Sequence, residues 1–200
     1  TARARVAALI GAQPGEIVFT GGGPEANNLA IFGAVAAAGR AAPRVVASAV
    51  EHQAVLGPCA QIAKTGGTAG YLPVDADGIL RLDAVKDLPD DGMVLVSVML
   101  ANNEVGTLQP VAALAEWARE RGILIHTDAV QAAGKIGVDV GALGVDLLSL
   151  SGHKLHGPQG VGALYVRAGT RLSPRWFGGH QERGLRPGTE NVAAVVGFGK

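Results

Sequence analysis

Cysteine is nearly missing from these 200 residues. The single Cys59 cannot form an internal disulfide, and no Cys/His set has the spacing of a zinc site. A reducing, cytoplasmic compartment is the resulting expectation. Charge excess of either sign is also missing. Seventeen Lys+Arg balance 17 Asp+Glu, which argues against a chain built for electrostatic capture of nucleic acid or acidic membrane. Long apolar runs are lacking too. Met93 to Ala101 is nearly apolar but has a serine inside and reaches about half of the roughly 20 residues a bilayer span needs. No membrane segment is expected. Low complexity is excluded as well, since 30 Gly and 10 Pro in 200 residues stay below the roughly 25–30% of such chains. The glycines should therefore be positional.

What is present suits a globular chain: 48% hydrophobic and 17% charged residues, long enough to bury roughly 70% of its extended surface. Arg3 and Arg5, with no acid before Glu16, superficially resemble an organellar presequence. Val6, Leu9 and Ile10 instead read as the packed face of a helix, and no methionine starts the chain. The other end, TENVAAVVGFGK, also stops inside a helical pattern. Both ends suggest an internal piece of a longer protein, residues 1–200 forming one domain truncated at each end.

Short β-rich runs alternate with helical segments. Strands are expected at Glu16–Thr20, Arg44–Val50, Gly70–Val74, Met93–Leu100, Ile123–Thr127, Val145–Leu150 and Gly160–Val166. Helices are expected from about Pro24 to Ala38, from near His52, and from Pro110 to Arg121 with Gly122 as the stop. Near-continuous apolar strands separated by helices predict an α/β fold: three layers, a mostly parallel sheet with helices on both faces.

Such sheets bind ligands outside the carboxyl ends of their strands, and here those positions are unusually polar. Gly21-Gly22-Gly23 follows the first strand and opens a helix, a place for phosphate, although a glycine turn alone is ordinary. Glu51-His52 follows the second, where a lone histidine is more often a capping or core residue than a catalyst. Asn102-Asn103 follows Met93–Leu100 and reads blandly as a turn. Asp128, with Gln131 three residues on, closes another strand and is either a helix cap or a buried carboxylate needing a donor or cation. Ser151-Gly152-His153-Lys154 follows the next. A lysine enclosed there would lose its proton readily and serve Schiff-base chemistry. His153 and His156 lack a third ligand, so no metal is expected. A phosphate cup, a flat histidine, a buried aspartate and a lysine, each ending a different strand, are the parts that hold pyridoxal 5'-phosphate, whose ring nitrogen wants an acidic partner.

On the segments EIVFTGGGPEANNLAI, VEHQAV, ANNEVGTLQPV, HTDAVQAAGKI, SLSGHKLHGPQGVGALYVR and GGHQERGLRPGTENVAAVVG, the chain resembles the cysteine desulfurases of the fold-type I, class V aminotransferase superfamily. These segments run from Glu16 to Gly197. The resemblance implies the cofactor-binding large domain, with the small C-terminal domain outside the chain. It implies that Lys154 binds the cofactor and shuttles protons, that Asp128 pairs with its ring nitrogen, and that His52 stacks on the ring and assists the acid–base steps. Gln131 and Asn103 would contact the ring's phenolic oxygen or its neighbourhood. Ser151, His153 and the Gly22–Gly23 backbone would hold the phosphate, and Thr189 would reach the phosphate of the other subunit of a homodimer.

The implied reaction takes L-cysteine to L-alanine and passes sulfur to an enzyme cysteine, then to an acceptor such as an iron–sulfur scaffold protein. Alternatives are a selenocysteine lyase or aminotransferase of the same class, or a cofactor-binding scaffold without turnover. The chain departs from the family at Pro24, where a Thr or Ser hydroxyl is usual. The family's sulfur-accepting cysteine and carboxylate-binding arginine fall beyond residue 200. Cys59, in LGPCAQIAK, matches no nucleophile motif and is expected to be a buried helix residue.

Overall fold

The computed structural model describes residues 1–86, 88–89 and 91–200. Its centre is a seven-stranded sheet of β1 (Ile17–Thr20), β2 (Arg44–Ser48), β3 (Thr68–Leu72), β4 (Met93–Ser97), β5 (Leu124–Asp128), β6 (Leu147–Ser151) and β7 (Gly162–Val166), in the order β1-β7-β6-β5-β4-β2-β3. The pairs β3·β2, β2·β4, β4·β5 and β5·β6 are parallel. Strand β7 alone is reversed, antiparallel to both β6 and β1. The mostly parallel sheet is thus realised, with one reversal that apolar patterning does not signal.

Strands β4, β6 and β7 are buried at every position, because helices cover both faces and alternate side chains feed two cores. On one face Leu95, Leu147 and Leu164 meet α2 (Gly23–Ala38) and α3 (Gln53–Lys64) through Leu29, Ala30, Val55 and Ile62. On the other, Val96, Ile125, Leu148 and Leu150 meet α1 (Ala2–Leu9), α4 (Val111–Glu120) and α6 (Val192–Phe198) through Val6, Leu114, Ala118 and Phe198. Among the described residues no helix is long and apolar enough to cross a membrane.

Several expected bounds shift. Strand β3 begins and ends two residues earlier than its apolar run suggested, and β2 stops at Ser48. Leu9, assigned to the packed face of α1, is 41% exposed, while Ala7 is buried in its place. Beyond β4 the ladder to β5 persists through Val98 N–H to His126 O (3.0 Å) and Leu100 N–H to Asp128 O (2.9 Å), so the expected longer strand survives as bonding. The single-turn α5 (Val140–Leu143), capped by the Asp139 carboxylate on Ala142 N–H at 2.9 Å, was invisible in sequence because four residues cannot display a 3.6-residue period.

Candidate cofactor site

At the carboxyl ends of the parallel strands lies a cavity of about 370 Å³ lined by Gly23, His52, Asn103, Asp128, Gln131, Ser151, His153 and Lys154, together with Pro24, Asn27 and Met99. Eight of the expected site residues therefore come together from the ends of different strands. Gly22 stands just behind the lining as the N-cap of α2. Thr189 is exposed and lies outside the cavity of its own chain.

The glycine turn is built by close approach. Gly22 adopts φ +153°, in the range that favours glycine. A Cβ on Gly162 of β7 would stand 2.7 Å from Gly22 Cα and from its carbonyl carbon. Strand β7 thus passes hard beneath the turn and holds it in place. No side chain caps α2, so by helix geometry the Gly23 amide keeps a free donor at the cavity, while Pro24, the second residue, has none. The Gly21 amide is already used, donating to Glu25 at 2.9 Å.

Asp128 ends β5 with its carboxylate buried. Asn27 Nδ2 donates to Oδ2 at 2.7 Å and Val130 N–H donates to Oδ1 at 2.9 Å. Burial raises its proton affinity above the usual carboxylate range; those two donors and the nearby His52 pull the other way. Both hydrogen-bond partners are neutral, so the charge still lacks a cation in contact. The Asn27 Oδ1 beside it is buried without a partner among the described residues. Asn27 was missed in the sequence, although there was a signal: it interrupts the buried Gly23–Ala26–Ala30–Ala34 stripe of α2, where asparagine is a poor helix former.

One pleat below Asp128 on the same strand face, His126 sits between Ser97 Oγ (2.7 Å from Nδ1) and Ser149 Oγ (2.9 Å from Nε2). Burial pushes this imidazole down to about 3, so it is neutral and spans three strands without competing for Asp128.

His52 is a helix cap, and it also borders the cavity. Its Nδ1 accepts the Ala54 N–H at 3.0 Å, capping α3, and its ring lines the cavity. The capping bond leaves Nε2 as the protonated nitrogen of the neutral ring. The two amides divide the roles proposed for them. Asn102 builds the turn, its Oδ1 accepting from Glu104 and Val105 N–H at 2.8 and 3.0 Å, and Asn103 faces the cavity. Gln131 Oε1 accepts from Lys135 Nζ at 2.6 Å, which leaves its Nε2 donor for a ligand. Ser151 Oγ and His153 Nδ1 are 2.9 Å apart.

Lys154 follows β6 in a 3-10 turn spanning Gly152–Leu155 and lines the cavity, but it is exposed, not enclosed as the sequence suggested. The short turn carries it past the buried end of β6. Cys59 is fully buried in α3, and burial pushes its thiol up to about 12, which leaves it inert.

Over all of residues 1–200 the sequence matches the family described as Aminotransferase class-V. The chain belongs to the class V aminotransferase family. It is 49% identical over 199 residues to the "Cysteine desulfurase IscS" of Dictyoglomus turgidum and 53% identical over 202 residues to the "Cysteine desulfurase" of Gluconacetobacter diazotrophicus. Each comparison covers 100% of this chain and 50% of the relative, so the chain spans about half the length of the curated relatives it matches. A solved structure described as SspA in complex with cysteine superposes with TM-score 0.94 at 41% identity, covering 99% of this chain and 58% of the other. A NifS-like protein does so with TM-score 0.94 at 40% identity, covering 99% and 55%.

The residues present fit pyridoxal phosphate. Asp128, a buried carboxylate between neutral donors, suits a cationic ring N–H, and Asn27 offers beside it an acceptor unpartnered among the described residues. The free Gly23 amide at the helix start and Ser151 suit a phosphate, and an accessible lysine amine suits an aldehyde.

Proposed function

We propose that residues 1–200 are the cofactor-binding large domain of a pyridoxal-phosphate-dependent cysteine desulfurase. The observation that carries this reading is the convergence of Lys154, Asp128, His52 and Ser151 on one cavity from separate strand ends. The names of the relatives and the structure of SspA in complex with cysteine support L-cysteine as substrate.

When bound, pyridoxal phosphate supplies an electron-withdrawing ring that stabilises negative charge on the substrate Cα. Lys154 Nζ would hold the group through its aldehyde and would carry the proton taken from Cα. Asp128 keeps the ring nitrogen protonated, while Asn27 and the Val130 amide keep Asp128 oriented. His52 would pack against the ring, and its Nε2, left free by the capping bond, would serve as a proton carrier. Gln131 and Asn103 orient the phenolic oxygen. Ser151, His153 and the Gly22–Gly23 backbone bind the phosphate. Thr189, exposed on its own chain, reaches the phosphate of a second subunit in a homodimer. The sulfur of L-cysteine passes to a cysteine thiolate outside these 200 residues, giving a persulfide and L-alanine. An iron–sulfur scaffold protein or thio-cofactor enzyme then accepts the sulfur in the cytoplasm.

The test is incubation of the full-length protein with L-cysteine and measurement of alanine and persulfide, with borohydride reduction and peptide mapping of the cofactor adduct. One alanine per transferred sulfur, with the adduct on Lys154 and none in Lys154→Ala, is the expected result. An adduct on another lysine, or a keto acid in place of alanine, overturns the reading, the latter in favour of an aminotransferase.

A further inference from the structure

Glu51 is a buried carboxyl that the roles above leave unused. Its Oε1 accepts two hydrogen bonds, from Ser48 Oγ at 2.5 Å and Met99 N–H at 2.7 Å, and its Oε2 is buried without a partner among the described residues. The backbone explains why a side chain is needed there. Strands β2 and β4 pair only as far as Ala47 with Ser97; beyond that point β2 bends away to start α3, while β4 continues beside β5. The Val98 and Leu100 amides turn toward β5. By the alternation of a strand, the Met99 amide faces the gap that β2 has left, and Glu51 fills it. A second tie crosses the same gap, with Asn102 Nδ2 donating to Val50 O at 3.0 Å.

We propose that Glu51 is a positioning residue, whose carboxyl clamps the β2–α3 turn bearing His52 onto the segment after β4 bearing Met99, Ala101 and Asn103. This rests on the cavity being the cofactor site. It goes beyond that reading by naming what sets the distance between two of its walls.

The clamp works as a neutral acid. Asp128 stands across from Glu51 on β5 with the same sign of charge. Asp75, Asp77 and Glu104 line an outer cavity of about 690 Å³ with Glu51, and His52 is the basic group there. Cys59 approaches from α3 and is inert. Burial first, then Asp128, raises the Glu51 carboxyl to about 8, against the Ser48 and Met99 bonds. Because Oε1 already accepts twice, the proton belongs on Oε2. A neutral Glu51 holds the two segments together without placing a second negative charge beside Asp128.

Glu51→Gln keeps the Oε1 acceptor and the neutral shape, and Glu51→Ala removes both. In the full-length apoprotein, the Met99 amide should exchange with solvent at wild-type rate in Glu51→Gln and about tenfold or more faster in Glu51→Ala. The infrared band of a protonated carboxyl should vanish between pH 7 and 9 in wild type and be lacking in Glu51→Gln. In the holoenzyme at pH 7, Glu51→Ala should lower kcat about tenfold while leaving KM within about threefold, and Glu51→Gln should rescue most of that loss. An unchanged Met99 exchange rate in Glu51→Ala overturns the clamp, as does a Glu51→Gln enzyme as impaired as Glu51→Ala. Should Glu51→Ala not fold, Ser48→Ala takes its place, and an unshifted carboxyl band in that variant overturns the clamp. A protein that carries no pyridoxal phosphate refutes the proposed function, while the apoprotein measurements still decide Glu51.

Discussion

Replacing Asn27 by Leu keeps roughly the same volume in α2 but removes the amide that donates to Asp128 at 2.7 Å. A hydrogen bond to a charged group contributes about 1.5–3 kcal/mol, and one pKa unit corresponds to about 1.36 kcal/mol, so the Asp128 proton affinity should rise by about one to two units. The same substitution deletes Asn27 Oδ1, a buried acceptor with no partner among the described residues, whose desolvation penalty of about 1–3 kcal/mol is thereby relieved. The two effects oppose, and near pH 7 the apoprotein's stability should change by only about 1 kcal/mol.

The pH dependence is the sensitive readout. Burial already raises Asp128 above its unfolded value, so its favourable contribution is complete below the unfolded pKa and is lost as pH rises through the folded one. Asn27→Leu raises the folded value further and should steepen the decline in stability above about pH 4 by about 1.5–3 kcal/mol in total. Urea denaturation of apo wild type and Asn27→Leu at pH 4 to 8 measures this directly. Superimposable pH profiles would show that the Asn27 bond does not govern the charge on Asp128. The holo variant should also release cofactor faster, because a carboxyl that protonates more readily is a weaker partner for a ring N–H.

Asp128→Asn preserves shape and removes charge, so the full-length protein should still bind cofactor while kcat falls by about 10²–10³, as when a preorganised electrostatic group is lost; near-normal turnover would reduce Asp128 to a cap. Pro24→Thr, on the second residue of α2 beside the cavity, adds a hydroxyl donor to the phosphate, an interaction of about 1.5–3 kcal/mol. Cofactor loss during dialysis against a competing amine should slow about 10- to 100-fold, and faster loss would require the phosphate cup to be redrawn. Cys59→Ser should leave persulfide formation intact while lowering stability by about 1–3 kcal/mol, since a hydroxyl enters a fully buried apolar site; loss of persulfide with cofactor still bound would make Cys59 the sulfur acceptor.

Much of the site was legible before any tertiary contact was known, since the residues just after β2, β4, β5 and β6 are polar where the strands are apolar. His52, Asp128, Ser151 and Lys154 stand out for that reason and meet at one cavity. Asn27 and Glu51 did not stand out. Asn27 works through a partner 101 residues away, and Glu51 through an amide 48 residues away. Lys154 was read as enclosed from its neighbours in the chain, yet the turn that carries it leaves it exposed in this chain.

By itself, the sequence determined the identities of the strands and of the helices other than α5, the layering of the sheet between two cores, and which residue types stand at each strand end. These depend on period, apolar run length and turn residues, which act between near neighbours. Only the tertiary structure decided that β7 runs backwards beneath the glycine turn, that Asn103 and not Asn102 faces the cavity, that Asn27 meets Asp128, and that Glu51 meets the Met99 amide. Those outcomes depend on strand order, and local patterning carries no record of which apolar strand lies next to which.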